Sequence, residues 1–371
     1  MEPTDNSTAL TVGVELEYLV VDADGFPVPV GPDLASDDDG DDAGELQPEL
    51  IRCQLETTTS VCRDAQDACD QLTDLRNRAA VAAAGRGLRL VGSGTPVLSK
   101  PDWPQLTSGS RYDRIADWFG AVAHTANSCG CHVHVAVPDR ATGVEVSNRV
   151  RPWLPVLLAL SANSPFNEGA DTSYESWRYI MWARWPTSGP PPLFVSLDHY
   201  ESSLAALLTV GAIVDRRNVY WDIRLSERQP TLEFRVCDVT QTPEEAALLA
   251  ALIRAAVGTA LDDLDSVSPR ALPLPQEVLR ANLWRAAREG LRARLLHPES
   301  GDLVDVWRLA DDFVSWLRPV LRDDGDLEFV EQRLAWLREA GGGSARQRQV
   351  FGNQGTFAAV VDALAVQAEA G

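Results

Sequence analysis

The 371 residues are enough for one large domain or two ordinary ones, and a hydrophobic content of 45% excludes a globally disordered protein. The formal net charge of −21 argues against nucleic acid as a partner, because phosphates would be repelled. No apolar stretch is long enough to span a bilayer, and no basic start with an apolar leader is apparent. A cytoplasmic protein without a membrane partner is therefore expected, with its six cysteines reduced.

The first predicted strand places two carboxylates side by side. Glu15 and Glu17 alternate with apolar residues in Gly13–Val21. Alternate side chains of a strand share a face, so the apolar residues would point into a core and both glutamates away from it. Two adjacent anions repel each other, and such a pair either faces water or meets a cation. Alone, this pattern favours a half-buried strand with a wet face, but similar patterns recur further along the chain.

An acidic run and a second strand follow. Residues 36–45 contain six acidic residues and are expected to form a solvated, mobile loop, because their spacing matches no recognisable calcium site. The next segment, Arg52–Thr57, has strand character and places Gln54 and Glu56 on one face.

Two histidines share a face in the next predicted strand. Helical patterns over residues 64–86 and 111–126 precede the β-branched segment Cys131–Val137, which contains His132 and His134. They are two of five histidines in the chain. Cys129 and Cys131 could form half of a soft-metal site, but no matching cysteine pair lies nearby, and a packed strand end is favoured.

A hairpin is predicted in the middle of the chain, after a helix over residues 144–161 and an aromatic helix over residues 174–185. For the aromatic helix, core packing is favoured over an adenine-stacking surface. Two alternating segments, Tyr220–Leu225 and Thr231–Cys237, are joined by a short polar link. The first places Arg224 on its polar face, and the second places Glu233 and Arg235 there.

The C-terminal third is predicted to be helical over residues 243–264, 275–296, 303–317 and 327–340. A glycine-rich, basic stretch over residues 341–348 then predicts a flexible turn, from which Arg346 could reach a phosphate as a mobile lid. Strands scattered among helices, with a hairpin between them, indicate an α+β fold around an antiparallel sheet. We expect a single domain over residues 1–371.

One sheet face bearing carboxylates, a histidine and arginines is typical of a site for a divalent metal and phosphate. Hard oxygen ligands suit Mg²⁺, and arginine forks suit phosphate oxygens. The alternative is a metal-dependent hydrolase that uses His132 and His134 as a zinc pair. It would need further ligands, and none of the three remaining histidines has a ligand-like spacing.

Taken in order, the motifs resemble those of the glutamate–cysteine ligase type 2 family, whose members are also called carboxylate-amine ligases. The resemblance runs from about Leu10 to Gly352 and is carried by residues 13–17, 129–135, 151–165, 185–194 and 220–238. It implies a glutamine-synthetase-like catalytic fold, in which a curved antiparallel sheet with flanking helices holds ATP and Mg²⁺ on its concave face. It also implies an enzyme that forms an acyl phosphate and transfers the acyl group to an amine.

The resemblance assigns roles to the polar face. The implied metal ligands are Glu15, Glu17, Glu56, His132 and Glu233. The residues implied to contact nucleotide or substrate are Gln54, His134, Arg224 and Arg235, of which Arg235 would meet the transferred phosphate; Arg346 joins them as a nucleotide-binding candidate from the basic stretch. Glu233 and Arg235 would be catalytic. Two departures stand out: Leu16 replaces an acid found in many relatives, and the long acidic run leaves the role of Glu49 open.

The resemblance implies a small-molecule acid and a small-molecule amine as substrates. By analogy they are glutamate and cysteine, or a related pair in secondary metabolism. A non-catalytic nucleotide-binding member is a further alternative, which the retention of every acidic and basic position in the motifs argues against. The sequence leaves a homo-oligomeric state open.

Overall fold

The computed structural model describes residues 10–38, 40–41, 43–102, 104–264 and 274–368. Its main sheet has seven strands in the order β2-β3-β1-β5-β9-β8, with β4 also paired to β1, and every pairing is antiparallel. Two small hairpins, β6–β7 and β10–β11, lie outside it. The strands are β1 Val12–Val21, β2 Gly44–Pro48, β3 Gln54–Thr59, β4 Arg89–Val91, β5 Gly130–Ala136, β6 Phe166–Asn167, β7 Ala170–Asp171, β8 Ile223–Leu225, β9 Thr231–Asp238, β10 Arg294–Leu296 and β11 Leu303–Asp305.

Helices fill most of the remaining described chain. They are α1 Gly31–Ser36, α2 Ala65–Ala84, α3 Ser110–Phe119, α4 Ala121–His124, α5 Arg140–Val150, α6 Leu154–Ser161, α7 Trp177–Trp182, α8 Leu197–Thr209, α9 Pro243–Asp262, α10 Gln276–Glu289, α11 Val306–Asp323, α12 Leu327–Ala340, α13 Gly343–Gln354 and α14 Phe357–Leu364. Among the described residues, no helix is both long and apolar enough to cross a membrane.

The first strand lies in the middle of the sheet, and its alternation sets the orientation of both faces. Val14 and Leu16 are fully buried, whereas Glu15 between them is partly exposed. The helices α2 and α9 pack together, and both contact the sheet strands β1 and β3 or β5. The helix α9 starts with a capping box formed by Thr242 and Glu245, and nearly all of its residues are buried. These helices cover the apolar face and leave the acidic face for other elements.

The predicted hairpin is confirmed. Arg224 of β8 lies directly opposite Glu233 of β9, so both side chains fall on the same face of the sheet. The ladder between β5 and β9 contains an irregularity between Cys131 and Val133. This irregularity shifts the register beside His132, a common device next to functional sites.

Five predictions about local structure are corrected. The predicted helices over residues 275–296 and 303–317 are shorter, because β10 lies at the end of the first segment and β11 at the start of the second. The predicted turn over residues 341–348 is wrong, because α13 begins at Gly343. The predicted helix over residues 111–126 is split at Gly120, whose φ of +52° suits glycine and interrupts the helix. The predicted aromatic helix over residues 174–185 is limited to α7.

The acidic run is only partly a solvated loop. Arg78 of α2 forms ion pairs with Asp38 and Asp41, and the backbone N–H of Leu46 donates to Asp38. Residues 44 and 45 belong to β2. The predicted mobility remains a prediction, and Asp39 and Asp42 lie outside the described residues.

Candidate active site

Strand register brings the predicted site residues together on one face. Glu15 lies opposite His132 across β1 and β5, and Glu17 lies opposite Glu56 across β1 and β3. His134 lies opposite Glu233 across β5 and β9. Since directly opposed residues of an antiparallel ladder share a face, carboxylates and imidazoles from four strands form one continuous polar surface.

The two histidines contact the two glutamates of β1. His132 Nδ1 lies 3.2 Å from Glu15 Oε2, and His132 Nε2 lies 3.8 Å from Glu17 Oε1. His134 Nε2 lies 3.2 Å from Glu15 Oε1, and its Nδ1 lies 3.0 Å from the hydroxyl of Thr231. The backbone N–H of Gly130 donates to Glu17 Oε2 at 2.6 Å. These contacts fix the orientation of both imidazoles.

Two arginines hold Glu233. Arg224 donates to both carboxylate oxygens, at 2.6 and 2.9 Å, and its remaining Nη1 donates to the backbone carbonyls of Arg217 and Val219. Arg224 is therefore committed to Glu233 and to the backbone. Arg235 donates to Glu233 only through Nη1, and its buried Nε has no partner among the described residues. Arg235 thus keeps donors for a ligand.

Crowding of buried carboxylates raises several pKa values. Burial, reinforced by the charge of Glu49, raises the pKa of Glu17 to about 7, although Arg178 and Arg235 oppose the rise. Burial and the neighbouring carboxylates hold the pKa of Glu56 well above its ordinary value. Burial also raises the pKa of Glu49. This part of the face has more negative charge than its arginines balance.

On the other half of the face, each carboxylate lies beside histidines or arginines that balance its charge. Burial alone would raise the pKa values of Glu15 and Glu233. The hydrogen bonds of Glu15 with both histidines lower its pKa, and the charges of Arg224 and Arg235 hold that of Glu233 well below its ordinary value. Burial, aided by the charge of Arg235, lowers the pKa of His132 to about 3. A neutral imidazole with a free nitrogen is the form that binds a metal.

The donor atoms form groups that fit a divalent cation. Three sets have their ligand atoms within 4.8 Å of one another: Glu15, His134 and Glu233; Glu15, Glu56 and His132; and Glu17, Glu49 and Glu56. His132 Nε2 is buried without a hydrogen-bond partner among the described residues. Mostly oxygen donors suit Mg²⁺ or a similar hard cation. No such set of described residues contains both His132 and His134, so the geometry does not favour the zinc pair.

Two predicted contact residues are occupied elsewhere. The amide of Gln54 is buried and donates to the carbonyl of Ser128 at 2.7 Å, so it holds the turn before β5. Arg346 lies in α13 and donates to both oxygens of Glu245, at 2.7 and 2.8 Å, and to Gln241. In this structure an ion pair at the start of α9 holds the guanidinium of Arg346, so Arg346 is anchored, and its role toward a phosphate stays a prediction.

Glu49 and Arg178 belong to the site but were not predicted as part of it. Glu49 follows β2 and joins Glu17 and Glu56 in a ligand group. Arg178 lies in α7. Its Nη2 and the Nε2 of His132 both lie beside Gly130. Glu49 lies outside the strands whose alternation marked the other ligands, and Arg178 lies in a helix interpreted as core. The sequence signal that could have marked Arg178 as a site residue was its charge within an otherwise aromatic segment.

Comparison with known proteins decides the family. The model of glutamate–cysteine ligase family 2 matches residues 11–353. The chain belongs to this family. Relatives provisionally named glutamate–cysteine ligase 2-1 come from Rhodococcus jostii (strain RHA1), 45% identical over 97% of each chain, and Nocardia farcinica (strain IFM 10152), 44% identical over 96% of this chain and 92% of that one. The resemblance found in the sequence is confirmed, and the protein is a carboxylate-amine ligase similar to glutamate–cysteine ligase.

Solved structures confirm the fold of this family member. Glutamate–cysteine ligase from Francisella tularensis, in complex with AMP, superposes with a TM-score of 0.71 at 14% identity, over 96% of this chain and 87% of that one. A bifunctional glutathione synthetase from Pasteurella multocida gives 0.68 at 16% identity, over 96% and 51%. The expected glutamine-synthetase-like fold is therefore confirmed, with its antiparallel sheet and flanking helices.

Proposed function

We propose that this protein is an ATP-dependent ligase that activates a carboxylic acid as an acyl phosphate and then transfers the acyl group to an amine. The observation that carries this proposal is the single sheet face on which metal-binding carboxylates lie beside Arg235. The AMP bound by the Francisella tularensis ligase supports a nucleotide as a substrate. We further propose that the acid and the amine are small molecules, with glutamate and cysteine as first candidates from the relatives' names.

The metal ligands proposed here are Glu15, Glu17, Glu49, Glu56, His132 and Glu233, with His134 as a further donor. Bound Mg²⁺ would neutralise phosphate oxygens and lower the electrostatic cost of bringing a second anion to the nucleotide. The raised pKa values of Glu17 and Glu56 and the unpartnered His132 Nε2 support this assignment.

The protein's own residues contribute mainly orientation and charge. Arg235 stabilises the transferring phosphoryl group with the donors that Glu233 leaves free, while Glu233 and the ring of Tyr220, 5.8 Å away, fix the guanidinium. Phosphoryl transfer to a carboxylate oxygen of the acid releases ADP. The amine then attacks the activated carbonyl carbon, a C–N bond forms, phosphate leaves with the bonding electrons of the C–O bond, and the nitrogen releases a proton to solvent or to the departing phosphate.

Release of ADP, measured first with single acids and then with acid–amine pairs, tests this function. We expect a pair, glutamate with cysteine first, to raise ADP release and to form an amide. Arg235→Lys should lose most of the rate, about a hundredfold, since a point charge cannot reproduce the fork. Arg308→Lys is the matched control, because Arg308 forms an exposed ion pair with Asp312. ATP turnover that ignores every amine would contradict the proposal.

A further inference from the structure

Arg178 is a buried cation whose N–H groups form few hydrogen bonds. Its side chain is 3% exposed, and its nearest carboxylate oxygen, Asp238 Oδ1, lies 3.9 Å from Nη1. Both Nη atoms reach only the backbone carbonyl of Arg235, at 3.4 and 3.3 Å, and Nε has no partner among the described residues. Leaving buried charged donors unsatisfied is costly. An anion at this position would satisfy them.

The free donors of Arg178 border the reactive face. A Cβ atom built on Gly130 would collide with Arg178 Nη2 and would lie 3.0 Å from His132 Nε2, so both nitrogens lie against this residue. Glycine, which has no Cβ, lets the guanidinium come this close to the strand. The N–H of the same glycine donates to Glu17, which places Arg178 beside a metal-ligand carboxylate.

The surrounding network fixes the orientation of Arg178. Asp238 accepts hydrogen bonds from the hydroxyls of Ser164 and Ser176, at 2.7 and 2.8 Å. Ser176 caps α7, and the Ser164 hydroxyl accepts from the backbone N–H of Arg178 at 3.0 Å. The turn that presents the guanidinium is therefore tied to the end of β9, three residues after Arg235.

Arg178 and Arg235 rest on adjoining aromatic rings. The guanidinium of Arg178 lies 6.0 Å from the ring centre of Trp182, and that of Arg235 lies 5.8 Å from the ring centre of Tyr220. The two rings meet edge to face, 5.0 Å apart. Two guanidinium groups that pack against these adjoining rings, each with free N–H donors, suit an anion that carries several oxygens.

We propose that Arg178 is a second anion-binding residue of the site and that it binds the reacting carboxylate of the acid substrate beside the phosphoryl group at Arg235. The proposal rests on the proposed function. Phosphoryl transfer requires the carboxylate oxygen to reach the phosphorus atom, and the hydrogen bonds from the Arg178 guanidinium to the Arg235 carbonyl place Arg178 next to the strand position that Arg235 occupies. The same donors then bind the acyl phosphate.

Steady-state kinetics of Arg178→Lys and Arg178→Gln in the full chain test this assignment. We expect KM for the acid to rise about tenfold or more, with a fall in kcat and an unchanged KM for ATP. Lysine should restore part of the loss seen with glutamine. Arg151→Lys is the matched control. Arg151 is as buried as Arg178. Among the described residues it donates to the carbonyls of Pro191 and Leu274, and its Nη2 has no partner, but it lies in the turn between α5 and α6 and not on the polar sheet face, so its replacement should reduce stability alone.

The outcomes separate this inference from the proposed function. Unchanged acid KM and kcat in either folded Arg178 variant would overturn the inference and leave the ligase intact. A rise in KM for ATP rather than for the acid would assign Arg178 to the nucleotide and also overturn it. If the wild type shows no ligase turnover, the inference is tested by the increase in Tm that the acid alone causes. The shift should persist in Arg151→Lys and be lost in Arg178→Gln, and its persistence in Arg178→Gln would overturn the inference.

Discussion

Glu17 and Glu56 lie directly opposite each other on neighbouring strands, so two buried carboxylates occupy adjacent positions on one face. Their pKa values are both raised, that of Glu17 to about 7, by burial and by the charge of surrounding carboxylates such as Glu49. Without a cation, protonation is the way this pair reduces its repulsion. Protons and divalent cations therefore compete for the same oxygens, and this competition can be measured.

We expect the affinity for Mg²⁺ to rise with pH between about pH 6 and pH 8, by up to about tenfold per pH unit for each proton released. The reason is that the raised pKa of Glu17 leaves it partly protonated in this range, so metal binding releases protons. Calorimetry in buffers of different ionisation enthalpy measures both the affinity and the number of protons released. In Glu17→Gln the affinity should be lower and its pH dependence weaker. Wild-type affinity that stays constant over this range would contradict the prediction.

Glu56→Gln should abolish metal-dependent turnover while making the metal-free protein more stable at neutral and higher pH. The pKa of Glu56 is raised in the folded state, so its contribution to stability is present below the unfolded value near 4.5 and is lost as pH rises through the folded value. Glutamine stays neutral and avoids that loss. Melting temperatures in EDTA across pH measure the effect. The gain over wild type should grow with pH, and a gain that shrinks would contradict the prediction.

Glu233→Gln should lower the stability of the metal-free protein, which is the opposite of the effect expected for Glu56→Gln. The structure shows Glu233 paired with both Arg224 and Arg235. Breaking a buried pair leaves uncompensated cations and costs about 3 kcal/mol. Because the pKa of Glu233 lies well below its ordinary value, the stability it provides is present above about pH 4.5 and is lost as pH falls through the folded value. Denaturant unfolding measures the loss, and unchanged stability at pH 7 would contradict the prediction.

Strand alternation was sufficient to predict most of the reactive face. Glu15 and His132 were each assigned to the polar side of a strand from their apolar neighbours, and burial of those neighbours then fixes the register that pairs them. The grouping of these strands into one sheet was inferred from the recurrence of the same pattern, and the family resemblance implied the same arrangement. Nothing in the local pattern specifies which strands are neighbours.

Partners that come from distant segments could not be predicted. Arg178 reaches the site from a short helix, and its position depends on hydrogen bonds from Ser164 and Ser176 to Asp238. Arg224 was expected to contact ligand, but its donors are used by Glu233 and two backbone carbonyls. Whether an arginine is free or paired depends on tertiary contacts that no periodicity reveals.

Arg346→Gln distinguishes an anchored arginine from a mobile lid. The guanidinium donates to Glu245 and Gln241 and lies 5.1 Å from the ring centre of Trp336, with its side chain 20% exposed. Its loss should therefore lower the free energy of unfolding by about 1–3 kcal/mol and leave kcat and KM for ATP unchanged. Glu245→Gln, which removes the partner, should cause a similar loss, and the double variant should lose less than the sum. A fall in turnover with an unchanged melting temperature would contradict this prediction and restore the lid, because a residue that closes over ATP acts only when the nucleotide is bound.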